Sequence, residues 1–175
     1  VIELLFALVV WLTPTREAAA LERTAPSYLD LDQARDHLAA ARIAGAVHHL
    51  PPELILAIAW RESRYQHAAV TPESAGRMSC GAMTPTPVAR CVPQTLLEDY
   101  LAGAAHLRHW VNATRSLQLG LQGYAGGYRM IRACERGPVV RVRARVEIDL
   151  CSTPELRRAA WIRREIERAV PSPLT

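Results

Sequence analysis

Between Asp30 and His49, apolar residues recur at Leu31, Ala34, Leu38, Ala41, Ala44 and Val47. That spacing lines one face of a helix, and the Asp residues at its start suit it to capping. Leu50-Pro51-Pro52 stops the pattern. Because proline is tolerated in a first helical turn, a second helix is expected to start there and run through Leu54, Ile55, Ile58 and Ala59 to about Ser63. From Arg64 to Pro93 the pattern dissolves into Ser, Thr, Gly and Pro. A connection of that length is expected to be functional or stapled, and it reads here as a stapled binding loop. Pro93 is expected to open a third helix through Leu96, Leu97, Tyr100, Leu101, Ala104, Leu107 and Val111. A fourth spans roughly Ser116 to Tyr124 before Gly126-Gly127, with a short helical turn at Tyr128 to Cys134. Val140, Val142, Ala144, Val146 and Ile148 then alternate with Arg141, Arg143, Arg145 and Glu147, the period of a half-buried strand. Thr153-Pro154-Glu155 starts an Arg-rich amphipathic helix that Pro171 terminates. The pattern predicts a mainly α fold decorated by one short strand or hairpin near 139–148.

Composition narrows this to a globular chain. Half of the 175 residues are apolar and 22% are charged, enough for a core and the size of one domain. The net charge of +4 favours anionic partners. All 21 basic residues are Arg, a bias that coding composition explains more simply than phosphate gripping, so nucleic acid is discounted as a partner.

The first twelve residues are apolar except Glu3 and lead into Ala18-Ala19-Ala20. The run is shorter than the roughly 20 residues of a spanning helix. It reads as an export signal over residues 1–20, cut after Ala20, with a domain over 21–175 in the periplasm or outside the cell. In that setting Cys80, Cys91, Cys134 and Cys151 are expected to form two disulfides. Nearest-neighbour pairing, 80 with 91 and 134 with 151, is the expected choice among three connectivities. No C-x-x-C spacing indicates zinc.

The chemistry centres on Pro52 to Tyr65. Glu62 closes an apolar helix directly before a polar loop, where burial can keep a carboxylic acid protonated while substrate still reaches it. The same position also suits a solvated Glu paired with Arg61 or Arg64. What separates the two is an ordered set of segments that resembles the soluble lytic transglycosylases and goose-type lysozymes. Leu56-Ala57-Ile58-Ala59-Trp60-Arg61-Glu62-Ser63 is similar to that family's helix ending in Glu-Ser. Ala75-Gly76 and Cys80-Gly81-Ala82-Met83-Thr84-Pro85-Thr86-Pro87 resemble its Gly-Leu-Met-Gln-x-x-Pro loop, with Thr84 where the family has Gln. Gly123-Tyr124-Ala125-Gly126-Gly127 is similar to its Ala-Tyr-Asn-Ala-Gly motif, with Ala125 in place of the Asn or that residue missing. The resemblance covers residues 45 to 135.

The resemblance implies a lysozyme-like fold and an enzyme that cleaves peptidoglycan between N-acetylmuramic acid and N-acetylglucosamine. Glu62 would protonate the leaving oxygen while the substrate's acetamido group stabilises charge at C1. The carboxylate would then act as base on the C6 hydroxyl, closing a 1,6-anhydro ring. It further implies that Ser63 and Tyr124 orient Glu62, that Gly81, Met83, Thr84, Ala125 and Gly126 line the glycan groove, and that no cofactor or metal is needed. Expected partners are glycan strands and an envelope secretion or remodelling machinery, with the chain itself a monomer. A hydrolytic muramidase and an inactive wall-binding or scaffold domain are the rival readings.

Other residues carry plainer expectations. A hydrolase would need a second carboxylate, for which Glu73, Glu98 and Asp99 lie nearby; Glu73 reads as a turn residue and the other two as a solvated helix face. His106 and His109 share a helical face but read as surface or groove-lining, like His48 and His49. Trp60, Trp110 and Trp161 are expected in the core, and the basic rows in solvent.

Overall fold

Asp30 begins a helix by a reciprocal cap: its carboxylate accepts the Gln33 N–H at 2.8 Å, and the Gln33 side chain accepts the Asp30 N–H at 3.1 Å. The computed structural model of the chain describes residues 15–72, 76–84, 90–92, 94–136, 139–143, 146–149 and 151–169, together with Leu4 and Leu8. Among these, helices α1 (Thr15–Thr24), α2 (Leu31–His48), α3 (Pro52–Ser63), α4 (Leu96–Thr114), α5 (Leu117–Arg136) and α6 (Pro154–Ala169) dominate. Two antiparallel hairpins, β1 (Val70–Pro72) with β2 (Met78–Cys80) and β3 (Val139–Arg143) with β4 (Val146–Asp149), complete the set. The mainly helical expectation holds. The chain forms two compact units, residues 1–104 with 155–175 and residues 105–154, and α4 contributes turns to both.

In the first unit, α3 is buried on nearly every side: Leu54 through Ala59 are all inaccessible. A helix without a polar face belongs at the centre of a core. Helix α1 packs on α2 through Ala18, Ala20 and Leu21, and Glu17 pairs with Arg42 at 2.6 Å. The expected cut after Ala20 falls inside α1. The apolar run before α1, apart from the exposed Leu4 and Leu8, lies outside the described residues.

Helix α6 returns to this unit and keeps the expected solvated basic face, with Arg157, Arg163, Arg164 and Arg168 exposed, while its other side packs inward. Ala159 and Ile162 are buried, Arg163 pairs with Glu53 at 3.6 Å, and Arg61 pairs with the buried Glu155. The Arg158 guanidinium sits 3.8 Å from the Trp60 ring centroid and donates to the Thr24 carbonyl at 3.0 Å. Trp60 is therefore a half-buried cation-binding ring rather than a core residue, with Arg64 also over it at 4.5 Å.

The β1–β2 hairpin pairs Val70 with Cys80. Strands of three residues carry no usable alternation, so the sequence showed only a loop there. Helix α4 starts at Leu96, after the expected Pro93, because Thr95 and Glu98 form a cap: Glu98 accepts the Thr95 N–H at 2.8 Å and Thr95 accepts the Glu98 N–H at 3.3 Å.

In the second unit, α5 is broken where the sequence placed its end, at Gly126 (ψ 22°) and Gly127 (φ 62°, ψ −157°). The latter conformation is open to glycine and strained for other residues. A Cβ on Gly123 would fall 2.6 Å from the Trp110 ring, so this glycine admits the close approach of α5 to the end of α4. Trp110 is 9% exposed, as expected of a core ring. The expected strand is the hairpin β3–β4, with a register irregularity between Arg141 and Arg143. The disulfide Cys134–Cys151 closes around it, and Gln118 and Gln122 donate to the Cys151 and Ser152 carbonyls at 3.0 Å.

One buried contact in the first unit has a pH consequence. His37, 4% exposed, places Nδ1 2.6 Å from the hydroxyl of the fully buried Tyr100. Burial, with the charge of His67 second, pushes its pKa down to about 4, so the neutral ring accepts the phenol proton. The unfolded chain titrates this His near 6.5 and therefore binds the extra proton first. Stability contributed by neutral His37 is complete above pH 6.5 and declines as pH falls toward about 4, by roughly 3 kcal/mol at about 1.4 kcal/mol per pH unit. Urea unfolding at pH 7 and pH 4.5, compared between wild type and His37→Gln, reads this contribution. Equal pH dependence in the two proteins would refute it.

Candidate functional site

Helix α3 ends at Ser63 because Arg64 turns into the left-handed region (φ 58°) and its N–H closes back on the Trp60 carbonyl at 3.0 Å. Glu62, in the last turn, is thereby carried by a rigid buried helix and remains half-buried itself. Its Oε2 accepts the Thr84 hydroxyl at 2.9 Å. Thr84 has φ 40°, a conformation a β-branched residue adopts only where its surroundings hold it. Two segments singled out in the sequence, 22 residues apart, thus share one hydrogen bond.

The turn that presents Thr84 is fixed from several directions. Gly81 (φ 85°) donates its N–H to the Ala69 carbonyl at 2.9 Å, and Ala82 and Met83 are fully buried. Met83 lies against α4, where a Cβ on Gly103 would come within 2.5 Å of the Met83 Cβ. It is therefore a core anchor rather than an open floor for a sugar. The Ser63 hydroxyl lies 2.9 Å from the Ala82 carbonyl and 3.1 Å from the Ala59 carbonyl, and it donates to these. The expected bond from Ser63 to the Glu62 carboxylate is replaced by a tie between helix end and turn. A hydroxyl has one proton, and two nearby carbonyls claim it.

Beneath the turn sits Asp99, which the sequence placed on a solvated face. It is 1% exposed, and its Oδ2 accepts the Ala82 N–H. Burial raises its pKa, while the Ala82 and Met83 amides and His67 act in the opposite direction. His67 Nδ1 is 3.5 Å from Oδ2, and its Nε2 donates to the Gln94 carbonyl at 2.8 Å. A Cβ on Gly81 would collide with the carboxylate. The signal that marks Asp99 is Gly103, one helical turn further on: a mid-helix glycine among apolar residues announces a close backbone or side-chain approach on that face. Glu98 is exposed and committed to Thr95, and these contacts hold its carboxyl below the usual range. Glu73 lies outside the described residues.

The disulfide Cys80–Cys91, with Cα atoms 5.9 Å apart, staples the segment carrying this turn. A cavity of about 290 Å³ opens beside it, lined among others by His67, Val70, Val92, Gly81, Asp99 and the disulfide. Glu62 does not line it.

Tyr124, Ala125 and Gly126 belong to the second unit. Tyr124 is half-buried with its ring 5.2 Å from His106, while Ala125 and Gly126 are exposed at the break in α5. His106 accepts the Trp110 indole N–H at 3.1 Å, and burial lowers its pKa, with His109 adding to the effect. That commits the imidazole as a neutral acceptor in an aromatic cluster with Trp110, Tyr124 and the exposed Tyr128. No group of three or more metal-ligating side chains converges among the described residues. Comparison with models of protein families, with curated proteins and with solved structures gives no match.

Proposed function

We propose that the chain is an exported peptidoglycan lytic transglycosylase of lysozyme-like fold, with Glu62 acting first as acid and then as base. The observation that carries this reading is the Thr84–Glu62 hydrogen bond. It unites the helix that resembles the family's acid-bearing element with the turn that resembles its glycan-lining loop. A carboxyl held at a rigid helix end, half-buried and touched by a hydroxyl, suits proton exchange with a bound glycosidic oxygen and so supports this reading.

The single-acid route also suits the other carboxylates nearby. Hydrolysis of the usual kind uses two carboxyl groups flanking the bond, whereas an acetamido group on the substrate removes the need for the second. Glu98 is engaged with Thr95, and Asp99 is buried under the turn. Export is supported by the two disulfides, which persist in oxidising compartments. No helix among the described residues is long and apolar enough to cross a membrane.

The mass of the products tests the reaction type. Purified sacculi incubated with the protein are expected to release fragments with 1,6-anhydro ends, one water lighter than reducing ends. Reducing ends alone would replace the transglycosylase with a hydrolytic muramidase. No soluble fragments at all would leave the wall-binding alternative.

A further inference from the structure

The polar contacts around Glu62 do not stop at Thr84. Thr84 directly follows Met83 and Ala82, and the Ala82 amide is bound by the Asp99 carboxylate while the Ala82 carbonyl is bound by Ser63. Asp99 itself stands on α4, a rigid element, and Gly81 has no Cβ to keep the carboxylate away from the turn. We infer that Asp99 is a positioning residue for Glu62: through the Ala82 amide it holds the Gly81-Ala82-Met83-Thr84 turn in the geometry that delivers the Thr84 hydroxyl to the Glu62 carboxylate. This rests on the reading of Glu62 as the acid of the site.

Three features support a built device rather than incidental packing. A carboxylate is costly to bury, and Asp99 is 99% covered with one oxygen, Oδ1, lacking a hydrogen-bond partner. Its other oxygen accepts the Ala82 N–H of the turn, with His67 Nδ1 3.5 Å away. The turn in turn holds two residues at positive φ, Gly81 and Thr84, and the second is the one that touches Glu62. Removing the acceptor beneath Ala82 releases the constraint that keeps Thr84 at φ 40°.

The test reads Glu62 directly and without substrate. In protein carrying ¹³C-labelled Glu, with Glu62→Gln to assign the signal, the carboxyl titration of Glu62 is followed in wild type, Thr84→Val, Asp99→Leu, Asp99→Asn and the Thr84→Val/Asp99→Leu double variant. A hydroxyl that donates to a carboxylate favours the ionised form, so Thr84→Val is expected to raise the Glu62 midpoint by about one pH unit. Asp99→Leu is expected to raise it similarly, and the double variant no further than Thr84→Val. Asp99→Asn retains an acceptor for the Ala82 amide and is expected to titrate at or slightly below the wild-type midpoint. Both Asp99 variants remove the same negative charge while leaving Arg61, Arg64 and His67 in place. Loss of that charge alone would shift the midpoint downward, and equally in both. Folded Asp99→Leu and Asp99→Asn that titrate alike, or shifts that add in the double variant, would overturn the inference. If Asp99→Leu does not fold, Gly81→Ala is the second route, since its Cβ drives the carboxylate off the Ala82 amide. It is expected to give the same upward shift, and a wild-type midpoint in folded Gly81→Ala would overturn the inference equally. Glycan cleavage is scored separately: an inactive wild type with these shifts intact removes the enzymatic reading and spares the clamp.

Discussion

Glu62→Gln is expected to slow fragment release from purified sacculi by about 10²–10⁴-fold, the range a positioned general acid and base contributes. The amide is nearly isosteric with the carboxyl and still accepts the Thr84 hydroxyl, so the contact at 2.9 Å survives while the transferable proton does not. The fold is expected to be unchanged, because Glu62 is half-buried at a helix end and contributes no part of the apolar core of α3. Soluble fragments are quantified by mass spectrometry under initial-rate conditions. Equal release by both proteins would remove Glu62 from the chemistry. Binding to sacculi without release in either protein would identify a wall-binding domain.

The second large effect is on stability. Closing loops of 11 and 17 residues, the disulfides Cys80–Cys91 and Cys134–Cys151 are each expected to contribute about 3 kcal/mol by restricting the unfolded chain. For a chain of this size, loss of either corresponds to a melting temperature lower by roughly 6–12 °C. The bridges lie in different compact units, so the losses in Cys80→Ser/Cys91→Ser and Cys134→Ser/Cys151→Ser are expected to add in the variant that lacks both. An unchanged profile with all four thiols free would remove both the stabilising role and the support that the bridges give to an oxidising location.

Helices were legible where one face repeats over several turns or where proline and glycine punctuate the chain. The recurrence from Leu31 to Val47 located α2, Pro51-Pro52 located the start of α3, and Gly126-Gly127 located the break in α5. The start of α4 was misplaced because a Thr–Glu cap, not a proline, begins it. No linker in the sequence marks the boundary between the two compact units, because α4 is one uninterrupted periodic segment that serves both.

The candidate site was legible only in part, for a different physical reason. Glu62 stands out because it ends an apolar run, a property of consecutive residues. The sequence motifs suggest Ser63 for the acid and Met83 for substrate, whereas the structure commits them to the Ala82 carbonyl and to the core beside Gly103. Helical periodicity places Asp99 beside Glu98 on a solvated face and says nothing of a turn arriving from residues 81–84. Contacts made by folding back across the chain leave traces only in small residues such as Gly81 and Gly103, which mark where something must come close.

Short turns at a protein surface ordinarily surrender their amide protons to solvent within moments, since nothing but water competes for them. The turn above Asp99 is an exception. With the Ala82 N–H engaged by a buried carboxylate and Met83 sealed in the core, deuterium uptake at Ala82 is expected to follow opening of the packing around the turn rather than local breathing, so a four-residue bend would report on the core beneath it.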